Sequence, residues 1–232
     1  MTATLSPPSS HELAPDVKRH DLFYAESIVF EVQGTLFKVP RYGSPGNAAS
    51  FEARFTPSHA DRDAPGSSDT NPIHLGTDVI ELDLTSFLKA AYPPPGQAQP
   101  ELSLEEWMSV FKLAKIWSLA DMRDRALSQA ERVVSKKSSL EKILLGKKHG
   151  VVKWLKDGYK AIGCRTSGLT QEEKDGLDLV TRCGVLELRD RTWAWSVANY
   201  PYSSDAAAAS CKATFDCDAV MLEIFGDELR EV

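Results

Sequence analysis

The chain has 232 residues, 42% of them hydrophobic and 26% charged, and a formal net charge of -6. Those proportions describe a globular protein and exclude wholesale disorder or collagen-like structure. A pI near 5.4 argues against whole-molecule affinity for nucleic acid or an anionic membrane. The longest apolar runs fall far short of the ~20 residues that a membrane span needs.

Residues 1–21 contain Pro7, Pro8 and Pro15 among Ser and charged residues and read as a tail. They have no basic n-region and no apolar h-region, so a secretory signal is not expected and an intracellular protein, cytoplasmic or nuclear, is. From Leu22 onward the chain reads as ordered. The stretch SIVFEVQGTLFKVP predicts two strands around Gln33-Gly34. Ile28, Phe30 and Val32 alternate along the first, Leu36, Phe37 and Val39 follow the turn, and Gly34 supplies the positive φ of a tight hairpin. Pro40 lacks an amide hydrogen and ends the second strand. Residues 47–55 predict a short helix with Phe51 and Phe55 on one face. The polar stretch of residues 56–72 predicts a surface loop. Asp61 and Asp63 faintly suggest a calcium loop, but Pro72 stands where the bidentate Glu is needed. Ile73-His74-Leu75 predicts a third strand, on which His74 is expected to be a hydrogen-bonded structural residue. The apolar spacing from Asp78 to Tyr92 predicts a helix that Pro93-Pro94-Pro95-Gly96 stops.

The second half predicts helices with clear start signals. Ser103 to Glu106 is a capping box, in which the Ser hydroxyl accepts a first-turn amide and the Glu reaches back. The helix that follows is apolar around most of its circumference and is expected to be buried on more than one side. Leu119, Met122, Ala126, Ala130 and Val133 mark the next. Ser138 to Glu141 opens another, which ends at His149-Gly150. Val151, Leu155, Tyr159 and Ile162 follow at helical spacing. Thr170 to Glu173 is a third box, preceding Leu177, Val180 and Leu186. Residues 201–212 predict a linker, and VMLEIFGDEL a final amphipathic piece.

The chemistry expected of such a chain is binding. The five histidines do not pair at i, i+4, and neither a G-x-S-x-G elbow nor a phosphate loop occurs. Cys164, Cys183, Cys211 and Cys217 contain no Cys-x-x-Cys pair and read as reduced, partly buried thiols; a Cys211–Cys217 disulfide is compatible only with export. Residues 136–160 hold eight lysines against Glu141 and Asp157, a local net of +6, whereas residues 201–232 hold seven acids against Lys212 and Arg230, a net of -5. Mutual attraction between the two segments is expected. The alternative is a transcription-linked regulator that uses the Lys-rich 136–160 segment for nucleic-acid contact. Trp107, Trp117 and Trp154 are expected in the core; Trp193 and Trp195, with Tyr200 and Tyr202, form a candidate aromatic docking cluster.

In order along the chain, SIVFEVQGTLFKVPR, SFEARF, GSSDTNPIHL, FLKAAYP and LSLEEWMSVFKLAKIWSLADMRDRAL resemble the BTB/POZ domain. The likeness is greatest to the BTB proteins of mushroom-forming fungi, and SSLEKILLGKKHGVVKWLKDGYKAI and SGLTQEEKDGLDLVTRCGVLELRDR resemble that group's helical extension. The resemblance covers about residues 22–195. It implies an α+β, BTB/POZ-like fold, a small β-sheet flanked by helical hairpins, followed by an all-α C-terminal extension. Phe30, Val32, Phe37 and Val39 would belong to the sheet core, Phe51 and Phe55 to the first helical hairpin, and Trp107, Phe111 and Trp117 to the second. The implied organisation is a tail at 1–21, the BTB/POZ-like domain at 22–135, the helical extension at 136–200 and an acidic linker with a short helix at 201–232.

Members of that family self-associate or recruit partners, including corepressors and cullin-type ubiquitin ligases. The resemblance therefore implies a non-enzymatic protein–protein interaction module, an adaptor or scaffold with protein partners. No cofactor, metal, membrane, nucleic acid or small-molecule substrate is expected. The chain departs from the animal pattern at Glu26-Ser27, where the family has Asp, and at Pro40-Arg41, where it has His-Arg. Residues 1–21 show no counterpart of the helix that animal homodimers exchange, and no zinc fingers or kelch repeats follow. Expected partner-binding residues are Arg41 and Tyr42, Trp193 and Trp195, and Lys147, Lys148 and Lys153.

Overall fold

A computed structural model describes residues 27–40, 64–92, 100–199 and 215–230. The expected tail, the helix at 47–55, the Pro93–Gly96 stop, the linker at 201–212, Arg41, Tyr42, Tyr200, Tyr202 and Cys211 lie outside the described residues.

Strands β1 (Ser27–Val32) and β2 (Thr35–Pro40) form the expected antiparallel hairpin, in register from Ser27 opposite Pro40 to Val32 opposite Thr35. Gln33 and Gly34 both have positive φ, as a two-residue turn matched to strand twist requires. Strand β3 (Ile73–His74) pairs parallel with the other edge of β1, giving the order β2-β1-β3. As the central strand, β1 is covered on both faces, and Ile28, Val29, Phe30 and Val32 are all buried. His74 Nδ1 is hydrogen-bonded to the Glu31 carboxylate, which also accepts the Gly34 amide at 2.6 Å.

Among the described residues the sheet is followed by eight α-helices, so the protein is α+β and mostly helical. Helix α1 (Glu81–Ala91) begins three residues later than the spacing predicts, and α2 (Leu104–Ile116) and α3 (Ala120–Val134) follow. The Ser103 box closes α2 as expected, its hydroxyl accepting the Glu106 amide at 3.2 Å and the Glu106 carboxylate accepting the Ser103 amide at 2.9 Å. Residues Trp107 through Phe111, with Leu113 and Ala114, are buried, because α2 packs between α1 and α3. Phe87 meets Trp117 edge-on, with ring centroids 4.8 Å apart.

Helices α4 (Ser139–His149) and α5 (Val152–Gly163) make a second hairpin that turns at Gly150 in the left-handed conformation. The two helices approach closely because Gly158 faces α4: a methyl group there would come within 2.5 Å of Ile143 and 2.9 Å of the Ser139 carbonyl. After α6 (Gln171–Gly176), the long α7 (Leu179–Asn199) crosses α5. Helix α8 (Cys217–Phe225) and a 3-10 turn (Gly226–Leu229) then pack against α5 and α7.

Among the described residues the apolar side chains form two clusters. One joins the sheet to α1, α2 and α3, and the other joins α4, α5, α7 and α8. The boundary expected at residues 135 and 136 is bridged, since Val151 and Trp154 of the second hairpin belong to the first cluster. The Trp154 indole also donates to Glu131 on α3 at 2.9 Å.

Of the apolar residues that follow the Thr170 box, Leu177 is buried but Val180 and Leu186 do not face the core. Val180 is 82% exposed and Leu186 43% exposed, while Thr181, Val185, Leu188 and Thr192 face inward. The chain is extended at Leu177, so α7 restarts with a new phase instead of continuing α6. Asp178 starts it, accepting the Thr181 amide at 2.9 Å and the Thr181 hydroxyl at 2.7 Å.

Candidate functional site

An open groove of about 580 Å³ lies where α1, α2 and the end of α4 meet. Each wall follows from local sequence. Because α1 starts at Glu81, Ile80 and Leu82 project from its first turn and stay exposed, as does Ile116 at the end of α2. Met108 and Phe111 floor the groove, and Lys112, Lys115, Lys148 and His149 rim it. Lys112 crosses the groove to Asp83, Nζ to Oδ2 at 2.6 Å. The Asp83 carboxylate is almost fully buried and also accepts the Ile80 amide at 3.3 Å, so one side chain caps α1 and holds the lysine. Burial, and then the charge of Lys148, push the pKa of His149 below its ordinary 6.5, which keeps the imidazole neutral at the rim.

A second groove of about 460 Å³ shares Phe111 and Lys115 and runs past Arg123 and Leu127 of α3 to Val152 and Lys153. Glu228 and Arg230 of the C-terminal segment line it too. The two grooves thus flank one ridge, with apolar floors and mixed rims in which cations predominate. Such surfaces suit the side chains and charges of another protein.

Among the described residues, the expected partner-binding side chains of α4, α5 and α7 do not converge on one surface. Trp193 stands 64% exposed on α7, whereas Trp195 is half-buried against Phe215, centroids 5.8 Å apart, so the two form no joint aromatic platform. Lys148 rims the first groove. Lys153 lines the second and pairs with Glu131 at 3.2 Å, tying α5 to α3. Lys147 is engaged within the chain: it pairs with Asp178 at 3.0 Å and Glu228 at 3.1 Å and also donates to the Thr181 hydroxyl. Burial opposes its charge, but the two carboxylates outweigh burial and hold its pKa above the ordinary 10.5.

The attraction expected between the basic segment and the acidic end is present. Besides Lys147 and Glu228, Lys160 meets Asp218 at 3.8 Å, and Arg191 on α7 meets Glu223 at 2.6 Å. Tyr159, fully buried, stacks on Phe225 with centroids 4.0 Å apart and donates to Glu228 at 3.0 Å. Burial first, and then the Glu228 charge, push the Tyr159 phenol well above its ordinary range. Of the eight lysines in 136–160, Lys137, Lys147, Lys153 and Lys160 have a carboxylate partner. An uninterrupted cationic face for a phosphate backbone is thereby broken up.

The residues missed from sequence are Ile80, Leu82, Asp83 and Ile116. The early apolar pair Ile80 and Leu82 at a helix start was a readable signal; the Asp83–Lys112 pairing across two helices was not. Among the described residues, no group of three or more His, Cys, Asp or Glu side chains could hold a metal ion, and no helix is long and apolar enough to cross a membrane. No protein-family model matches the chain, and neither a curated protein nor a solved structure matches it.

Proposed function

We propose that the chain is a non-enzymatic interaction module of the BTB/POZ type, an adaptor or scaffold that binds a protein partner or a second copy of itself. The observation that carries this reading is the open groove between α1, α2 and α4, with exposed Ile80, Leu82 and Ile116 beside Lys112, Lys115 and Lys148. An apolar centre with a charged rim is the anatomy of a protein interface. The small sheet followed by stacked helices agrees with the architecture that the sequence resemblance implies, and the ordered motifs of residues 22–195 support the same reading.

The test combines light scattering with cross-linking. The mass of the wild-type chain is measured across a concentration series beside Leu82→Asp/Ile116→Asp, and partners recovered with the wild type are cross-linked and mapped. The expected result is either self-association that the double variant abolishes, or a protein partner whose cross-links fall on Lys112, Lys115 and Lys148. A chain that stays at its monomer mass of 25.6 kDa and gives no partner cross-link to the groove would sink the reading.

A further inference from the structure

Cys164 and Cys217 lie 53 residues apart in sequence, yet their Sγ atoms approach to 3.3 Å. Cys164 caps the C-terminus of α5, and the buried Cys217 opens α8. A disulfide requires an S–S distance of about 2.05 Å, so closure asks the two sulfur atoms to approach by roughly 1.3 Å. The two thiols differ in access. Cys164 lines a small cleft of about 100 Å³ with Arg165, Arg189, Asp190 and Trp193, whereas Cys217 is sealed beneath α8. Arg165 is paired there with Glu173 and Arg189 donates to the Ser167 carbonyl, so it is access beside Cys164, and not an excess of charge, that admits a reagent.

We infer that Cys164 and Cys217 form a reversible dithiol–disulfide site, oxidised by a small disulfide that enters beside Cys164, and that oxidation bolts the C-terminal segment to α5. The Cys164 thiolate attacks one sulfur of the small disulfide, forming a mixed disulfide and expelling one thiolate. The Cys217 thiolate then attacks Cys164 Sγ, forming the protein disulfide and expelling the second thiolate. The two protons given up by the protein thiols pass through solvent to the two thiolates expelled, so the protein dithiol is oxidised by two electrons and the small disulfide is reduced to two thiols. Cys217 is buried whereas Cys164 lines the cleft, which leaves the first attack to Cys164.

The bond closes on a segment already seated by Met221 and Leu229, and it fixes the same segment that carries Glu228 and Arg230 into the wall of the second groove. This site stands on the thiol geometry and does not depend on the interaction reading above.

The test uses the reduced full chain equilibrated with graded ratios of oxidised to reduced glutathione, then quenched with acid, alkylated and mapped by mass spectrometry. The expected product is lighter by two hydrogen atoms and yields a peptide linking Cys164 to Cys217. Its urea midpoint shifts upward, the shift is reversed by dithiothreitol, and it is absent in Cys164→Ser and Cys217→Ser. Linkage of either cysteine to Cys183 or Cys211 instead would overturn the inference. So would a glutathione adduct on Cys164 that never resolves, Cys217 that stays alkylatable after unfolding at the most oxidising ratio, or an unshifted midpoint. The wild-type peptide map decides the linkage even if a serine variant fails to fold.

Discussion

Ser118, exposed between α2 and α3, holds a left-handed backbone at φ +56°. That conformation costs a residue with a Cβ about 1–2 kcal/mol, and glycine adopts it without that clash. Ser118→Gly is therefore expected to stabilise the chain by about 1 kcal/mol after glycine's greater unfolded-state entropy is subtracted, read as a higher urea midpoint at unchanged slope. Gln33 is also left-handed, but its carboxamide oxygen accepts the Glu81 amide at 3.1 Å and so links the hairpin to the start of α1. At this scale much was readable. Gly34 announced the turn, and Trp107, Trp117 and Trp154 announced the core. The left-handed Ser118 gave no signal, because serine is common in every kind of turn.

At the level of elements, starts were legible wherever a side chain satisfies backbone amides locally. The boxes at Ser103, Ser138 and Thr170 all form, each hydroxyl accepting an amide at 3.2 Å. Contacts between elements were not legible, and the α4–α5 hairpin shows why. Gly158 in mid-helix lowers helix propensity by about 1 kcal/mol relative to Ala, which by itself recommends replacement. Its neighbours are Ile143 and the Ser139 carbonyl, and a backbone oxygen cannot step aside. Overpacking of this kind costs about 1–3 kcal/mol, so Gly158→Ala is expected to lose about 1–2 kcal/mol net. A urea titration that finds the variant as stable as the parent would show that α4 and α5 part easily. The buried face of α7 has the same origin: apolar spacing shows that a stripe exists, but its phase depends on where the helix begins.

Across the whole molecule, charge is arranged as local neutralisation. The segment that reads as +6 is interleaved with Glu131, Glu141, Asp178, Asp218 and Glu228, so the basic and acidic stretches largely cancel where they meet. This predicts the response to acid. Hydrogen bonds from Lys137 and then from the Ser138 amide lower Glu141 from 4.5 to about 2. The Arg165 guanidinium holds Glu173 below 4.5, and the Thr181 amide, then its hydroxyl, and Lys147 hold Asp178 below 3.8. A carboxylate whose folded pKa is depressed binds fewer protons folded than unfolded, so its contribution is complete above the unfolded value and drains away as pH falls toward the folded one. The urea midpoint should therefore fall as these carboxylates are driven below pH 4.5, and Glu173→Gln should remove part of that fall. A variant whose acid profile parallels the parent would show that the Arg165–Glu173 pair carries none of it.

The sequence by itself determined which elements form and where most begin, because capping boxes, the Gln33-Gly34 turn and helical spacing act within a few residues of one another. It also determined that the chain is α+β and that its charge is segregated. Only the tertiary structure decided which side of α7 is buried, that Lys147 pairs with Asp178 and Glu228 while Lys148 rims a groove, that Trp154 crosses the expected domain boundary, and that Cys164 meets Cys217. Each of these depends on the relative placement of elements tens of residues apart, and that placement is set by side-chain shape and burial across the whole core.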